Sequence, residues 1–265
     1  MAAEAGKNVE IEFEDGVAKL TLARADKLNP LDWSTVRELK DAVAAIDARP
    51  DIFAVVVTGR GRSFSAGGDL EGYLTLYRKP DQFAAFLDDF YVMLTAVEAS
   101  EKIYIAAVNG VCVAGGIELL LACDLSIAAD TAKIGDGHLN FGQLPGAGSS
   151  QRLPRAIGLL RAKHLMLTGD LLSADDARQI GLLNEVVPAA ELDAAVNRLL
   201  DKLRVKSRVG LSGAKHLANA TLSMDLETGL KHEVEFVHRY ATTEPDAIEG
   251  LEAFKDKRKP AFARR

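Results

Sequence analysis

The chemistry of this chain is most legible at Glu118. It follows a small-residue turn, Ala114-Gly115-Gly116, and sits among Leu119, Leu120 and Leu121. Such a turn at a helix start leaves backbone N–H groups exposed, and the helix dipole there favours negative charge. A lone carboxylate among leucines is costly to bury without a partner or a reaction to serve. Together these features read as a hole for a developing anion with an acid/base beside it. A second turn of similar composition, Ser65-Ala66-Gly67-Gly68-Asp69, lies upstream. Donors from two loops that meet on one oxygen would stabilise an enolate or tetrahedral oxyanion, each worth ~3 kcal/mol of barrier. Glycine turns also let a strand and a helix pack closely, so spacing alone leaves both readings open.

Positioning these turns requires regular elements before and after them. Residues 9 to 22 alternate apolar and polar around Asp15-Gly16, which predicts a β-hairpin. Val36, Leu39, Val43 and Ile46 have helical spacing over 33–48, with Asp32 or Ser34 as cap. The short apolar runs 53–58 and 103–108 read as strands buried on both faces, 81–98 as a helix and 125–128 as a third strand. Both glycine turns then fall where ligands collect in α/β folds, beyond the carboxyl ends of strands. From about residue 150 the pattern is nearly all helical: 156–168, 173–180, 189–206, 208–222 and 225–240. Ser173 with Asp176 resembles a capping box.

Composition narrows the classes. A length of 265 residues suits one large α/β domain or a core with an appendage. A net charge of −6 argues against nucleic acid as the main partner. Cys112 and Cys123 form no CxxC pair and read as buried small hydrophobes, and no two histidines have metal spacing, so no metal is expected. His216, His232 and His238 fit a surface or interface role. The acidic N-terminus lacks a signal-peptide core, and no run approaches the ~20 apolar residues of a membrane helix. The cytoplasm is the expected location, without membrane association. GxSxG, GxxxxGK[ST], a βαβ-placed GxGxxG and HExxH are all absent. A basic tail carries Lys255, Lys257, Arg258, Lys259, Arg264 and Arg265; a solvated helix end is the expectation for it.

Several long motifs in sequence order resemble the crotonase, or enoyl-CoA hydratase/isomerase, superfamily. They are RADKLNPLD at 24–32, TGRGRSFSAGGDL at 58–70, AAVNGVCVAGGIELLLACD at 106–124, FGQLPGAGSSQRLPRAIG at 141–158, LTGDLLSADDARQIGLLNEVV at 167–187 and EGLEAFKDKRKPAF at 249–262. The resemblance implies an α/β fold, a spiral of ββα units over residues 1–200, with a C-terminal helical trimerisation region over 201–265. Homotrimers or homohexamers follow from it. It also implies an acyl-CoA thioester as ligand, with coenzyme A entering as part of the substrate and no separate cofactor. The thioester oxygen would lie between the N–H groups of Gly68 and Gly115. Arg24 and Lys27 match phosphate-contacting positions. Ala66 and Leu70, with Gly68, would border the adenine and pantetheine arm. Phe254 and Lys257 match positions that close over the nucleotide, often from a neighbouring subunit.

One departure bears on the reaction. Hydratases of this family hold water between two glutamates. The first maps to Glu118, but the second falls in Ile134-Gly135-Asp136-Gly137-His138, where His138 stands in its place. A histidine donates or accepts a proton near neutral pH. If the segment is extended, Asp136 faces the same way and orients the imidazole or acts itself. The leading expectation is hydration of an α,β-unsaturated acyl-CoA, with Glu118 handling the water proton and His138 assisting at Cα. The alternatives are hydrolysis or C–C cleavage of a β-keto or cyclic acyl-CoA, double-bond isomerisation, and CoA binding without catalysis. Acyl specificity is expected from residues 70–90 and the helical region. Tyr73 and Tyr77 either line that pocket or serve packing.

Overall fold

The computed structural model describes residues 4–5 and 8–263. The rest of the acidic N-terminus, and Arg264 and Arg265 of the basic tail, lie outside the described residues. Strands β1 (Glu4–Ala5), β2 (Val9–Glu14) and β3 (Val17–Leu22) open the chain, then helix α1 (Trp33–Asp47). The hairpin expected over 9–22 is β2–β3, paired Val9 to Leu22 through Glu14 to Val17. Asp15 and Gly16 both have positive φ, 46° and 78°, as a two-residue hairpin turn requires. The Asp32 carboxylate caps α1 by accepting from the Thr35 N–H at 2.9 Å.

The core repeats one unit three times. β4 (Ala54–Gly59) leads to β5 (Ser63–Ser65) and helices α2 (Leu70–Leu76) and α3 (Pro80–Ala99). β6 (Ile103–Val108) leads to β7 (Val111–Val113) and α4 (Gly115–Ala122). β8 (Leu125–Ala129) leads to β9 (Lys133–Gly135), a 3₁₀ turn at His138–Phe141 and α5 (Ser149–Ile157). The longer strands, with the short β1 and β11 (Glu185–Val187) at the two edges, build a seven-stranded sheet, β1-β2-β3-β4-β6-β8-β11, and β5, β7 and β9 with β10 (Leu172–Ser173) build a second, β10-β9-β7-β5. This is the α/β spiral of ββα units that the sequence motifs imply.

The large sheet is apolar on both faces. Val55, Val57, Tyr104, Ala106 and Val108 join the core that includes α1 and α3 residues, while Val56, Ile103, Ile105 and Ile127 belong to a second core. The second core is closed by Leu192, Val196 and Leu200 of α8 (Leu192–Arg204). Continuous apolar runs are what a doubly covered parallel sheet demands.

The second half is more broken than its periodicity predicts. The helix expected over 156–168 starts later, as α6 (Leu159–Thr168); a break at Gly158, φ +84°, leaves residues 156 and 157 at the end of α5. Strands β10 (Leu172–Ser173) and β11 (Glu185–Val187) return to the two sheets on either side of α7 (Ala174–Gln179). Runs of two or three residues carry too little periodicity to be read from sequence. Ser173 does cap α7, accepting from Asp176 N–H at 3.1 Å. A 3₁₀ turn at Ala189–Glu191 precedes α8, and α9 (Arg208–Ala220), α10 (Leu226–Thr243) and α11 (Pro245–Lys255) follow. Among the described residues no helix is long and apolar enough to cross a membrane.

One buried cation ties α9 to the core. Lys215 Nζ donates at 2.9 Å to the carbonyls of Val97 and Lys102 and lies 3.0 Å from Asp124 Oδ2. Burial pushes the Asp124 carboxyl up, and the Lys215 charge opposes that shift. Removing one partner of a buried pair leaves the other charge uncompensated. Lys215→Ala is therefore expected to lower unfolding free energy by about 3–5 kcal/mol, read from urea melts at fixed protein concentration. A midpoint equal to that of the parent would refute it.

Candidate active site

The three short strands β5, β7 and β9 are parallel neighbours in the small sheet. Their carboxyl ends therefore lie side by side, and each is followed by one of the segments singled out in the sequence. Ala66–Asp69 follows β5, Ala114–Gly115 follows β7, and Asp136–His138 follows β9. Parallel pairing is thus what brings residues far apart in sequence to one place.

The two glycine turns touch. A Cβ on Gly67, which has φ +90°, would stand 2.6 Å from the Ala114 side chain and 3.1 Å from Gly115 N. Only glycine permits that approach. Ala114 itself has φ 50°, an uncommon conformation for a residue with a side chain, and its N–H donates to the Asp136 carbonyl at 2.9 Å. The β5 loop is pinned from outside: Ala66 N–H donates to Leu28 O, Leu31 N–H to Gly67 O, and the Asn29 side chain to the Ser63 carbonyl. Among the described residues the N–H groups of Gly68 and Gly115 have no protein acceptor.

Glu118 lies in the first turn of α4 and is 1 % exposed. Its Oε1 accepts from Ala147 N–H at 2.8 Å and from Ser149 N–H at 3.0 Å. The start of α5 thus directs an N–H group and its dipole toward this carboxylate. Burial pushes its pKa up, and the two N–H donors and the charge of His138 recover only part of the shift. Its other oxygen, Oε2, is 3.9 Å from His138 Nε2. That gap is too long for a direct hydrogen bond, yet one oxygen atom can sit within bonding distance of both.

His138 is oriented from behind. Its Nδ1 lies 3.0 Å from Asp136 Oδ1, and the Ser149 hydroxyl donates to Asp136 Oδ2. The segment is not extended: Gly137 has φ +63° and His138 begins the 3₁₀ turn, so it is the turn that brings imidazole and carboxylate together. Burial alone would lower the His138 pKa, but the hydrogen bond and charge of Asp136, with the charge of Glu118, outweigh it and leave the pKa raised. For Asp136 burial acts upward, and its His138 and Ser149 bonds carry the net shift downward.

These groups face a pocket of about 110 Å³. Ala66, Gly68, Leu70, Gly115, Glu118 and His138 all line it. Tyr73 from α2, Tyr77 just past its end, and Phe83, Phe86 and Phe90 from α3 form an aromatic wall, with Tyr73 stacked on Tyr77 at 5.4 Å. The sequence places the acyl pocket within 70–90 but does not single out the α3 aromatics, although their spacing puts them on one helix face. It also missed Ala147 and Ser149, whose part is played largely by backbone N–H. At the mouth the Tyr77 hydroxyl bonds Gln143 Oε1.

Folds of this shape recur in solved structures. An enoyl-CoA hydratase from Bacillus anthracis superposes with a TM-score of 0.91 at 33% identity, over 98% of this chain and 100% of that one. A family model described as enoyl-CoA hydratase/isomerase matches residues 12–265. The chain belongs to that family. The crotonyl-CoA hydratase of Syntrophomonas wolfei is 36% identical over 258 residues, covering 97% of this chain and 98% of the relative. The short-chain-enoyl-CoA hydratase of Clostridium acetobutylicum is 33% identical over 253 residues, covering 95% and 96%. Enzymes of the enoyl-CoA hydratase/isomerase type are thus its kin along nearly the whole length.

Four of the expected coenzyme A contacts, Arg24, Lys27, Phe254 and Lys257, are not among the residues that line the pocket. Arg24 forms an ion pair with Asp32, the cap of α1, and Lys27 is exposed. Phe254, 84 % exposed, and Lys257 lie at the end of α11, away from the pocket lining. Of the other histidines, His164 is an exposed partner of Asp170, and His216 Nε2 lies 3.1 Å from His232 Nε2 across α9 and α10. Cys112 is buried, and burial pushes its thiol pKa well up.

Proposed function

We propose that this protein hydrates an α,β-unsaturated acyl-CoA, reversibly, through an enolate. The observation that carries the reading is the facing pair Glu118 Oε2 and His138 Nε2, 3.9 Å apart above the two glycine turns. The thioester oxygen is received by the N–H groups of Gly68 and Gly115. Water sits between the carboxylate and the imidazolium. Glu118 takes a water proton as the oxygen bonds to Cβ, and the π electrons move onto the thioester as an enolate. His138 then delivers its Nε2 proton to Cα. Asp136 and Ser149 hold the imidazole in place, with Asp136 favouring the protonated form that this step needs. Coenzyme A is part of the substrate, and no further cofactor enters. Arg24, Lys27, Phe254 and Lys257 are the cationic and apolar groups proposed to meet its nucleotide. An assay of crotonyl-CoA with longer and cyclic enoyl-CoAs tests the reading. No loss of enoyl-thioester absorbance with any of them, at high enzyme, would sink it.

The Asp136–His138 hydrogen bond supports a second reading. A carboxylate-oriented imidazole can also activate water toward a carbonyl, giving thioester hydrolysis or cleavage of a β-keto or cyclic acyl-CoA. Mass spectrometry separates the two, since hydrolysis and ring opening change mass differently from hydration. Hydratase activity that appears only in His138→Glu would favour the second.

The same family reading includes a trimer or hexamer. Helix α10 buries none of its residues in the single chain, yet Leu226, Leu230, Val234 and Val237 form an apolar stripe along it. Leu230→Glu with Val234→Glu is expected to reduce the assembly to monomer in light-scattering chromatography. An unchanged mass would place the interface elsewhere.

A further inference from the structure

We propose that the Tyr73 hydroxyl is a third hydrogen-bond donor to the thioester oxygen that Gly68 and Gly115 receive. The proposal rests on the acyl-CoA reading above. Tyr73 lines the pocket together with both glycines. A Cβ on Gly68 would stand 2.2 Å from the Tyr73 hydroxyl oxygen, so the phenol lies directly against the residue whose N–H is offered to the ligand.

Of the two pocket tyrosines, Tyr77 has its hydroxyl engaged by Gln143. The Tyr73 hydroxyl has no hydrogen-bond partner among the described residues. A half-buried hydroxyl in an apolar chamber is satisfied by solvent or by a ligand, and a bound thioester displaces the solvent. The ring is held in place by stacking on Tyr77, at 5.4 Å and 12°, and by a tilted contact with Phe86 at 5.9 Å. It therefore needs no reorganisation when charge develops on the ligand oxygen. Burial, followed by the nearby Tyr77 and Glu118, pushes the phenol pKa up. The group stays a neutral donor throughout the working pH range.

Tyr73→Phe removes only the hydroxyl and keeps the stacking ring. The first measurement is the infrared carbonyl stretch of ¹³C-carbonyl-labelled butyryl-CoA, a saturated thioester that cannot be hydrated. Binding to the parent protein lowers the stretch through the donors on its oxygen. The variant is expected to lower it less, and to hydrate crotonyl-CoA about 100-fold more slowly with KM changed little. A full parental shift in the variant, or a parental kcat, overturns the assignment of Tyr73 while leaving the glycine donors standing. No shift in the parent protein overturns the acyl-CoA reading itself and Tyr73 with it.

Discussion

Glu118→Gln is expected to lower kcat for enoyl-CoA hydration by about 10³-fold, with little change in KM. The amide keeps the shape of the carboxylate. Its carbonyl oxygen can still accept from Ala147 and Ser149 N–H, the two bonds that hold Oε1. What it loses is the ability to take a proton at Oε2, the oxygen that faces His138. Burial raises the affinity of Glu118 for that proton, which suits a base that must act near neutrality. Circular dichroism and a thermal melt would establish that the variant is folded. Parental kcat in Glu118→Gln on every thioester tested would show that the carboxylate performs no proton transfer and would overturn its role as the base.

The alkaline limb of the pH profile is expected to move to lower pH, by about one unit or more, in Asp136→Asn, with a loss of about 100-fold in rate at neutral pH. The sign follows from the role. His138 must carry a proton to deliver one, so activity holds below its pKa and declines as pH rises through it. Asp136 raises that pKa through its hydrogen bond and its charge, against the lowering caused by burial. Removing the charge brings the decline to lower pH. The acid limb belongs to Glu118, whose protonation disables it as a base and whose pKa is raised. Because the two groups lie 3.9 Å apart, each limb reports an apparent pKa of the pair. An alkaline limb identical in Asp136→Asn and parent would show that His138 is not the proton donor. An acid limb that moves to lower pH while the alkaline limb stays in place would mean that His138 acts as a base, in line with the hydrolytic alternative.

Local signals were enough for much of the first half of the chain. The Asp15-Gly16 hairpin, the Asp32-capped helix and the strands at 54–59 and 103–108 follow from turn chemistry, capping and apolar runs, all of which act over a few residues. The short strands β5, β7, β9, β10 and β11 were not legible. Each has two or three residues, and each exists because a neighbouring strand supplies its hydrogen bonds. The break at Gly158 was missed for a related reason: the apolar spacing on its two sides is compatible with one helix.

Long ordered motifs were enough to reveal the family and the residue types at the site: Glu118, the paired glycines, and His138 where a second glutamate is expected. What these residues can do together depends on contacts that only folding makes. Parallel pairing of β5, β7 and β9 places three loops side by side. The turn at Gly137 places His138 on Asp136, which an extended segment would not do in the same way. The start of α5 supplies the N–H groups that hold Glu118, and Tyr73 comes to rest against Gly68. The physical reason is range. Capping, turns and periodicity are properties of neighbouring residues, whereas the proton affinity of a buried group depends on which charges and donors folding carries to it from elsewhere in the chain.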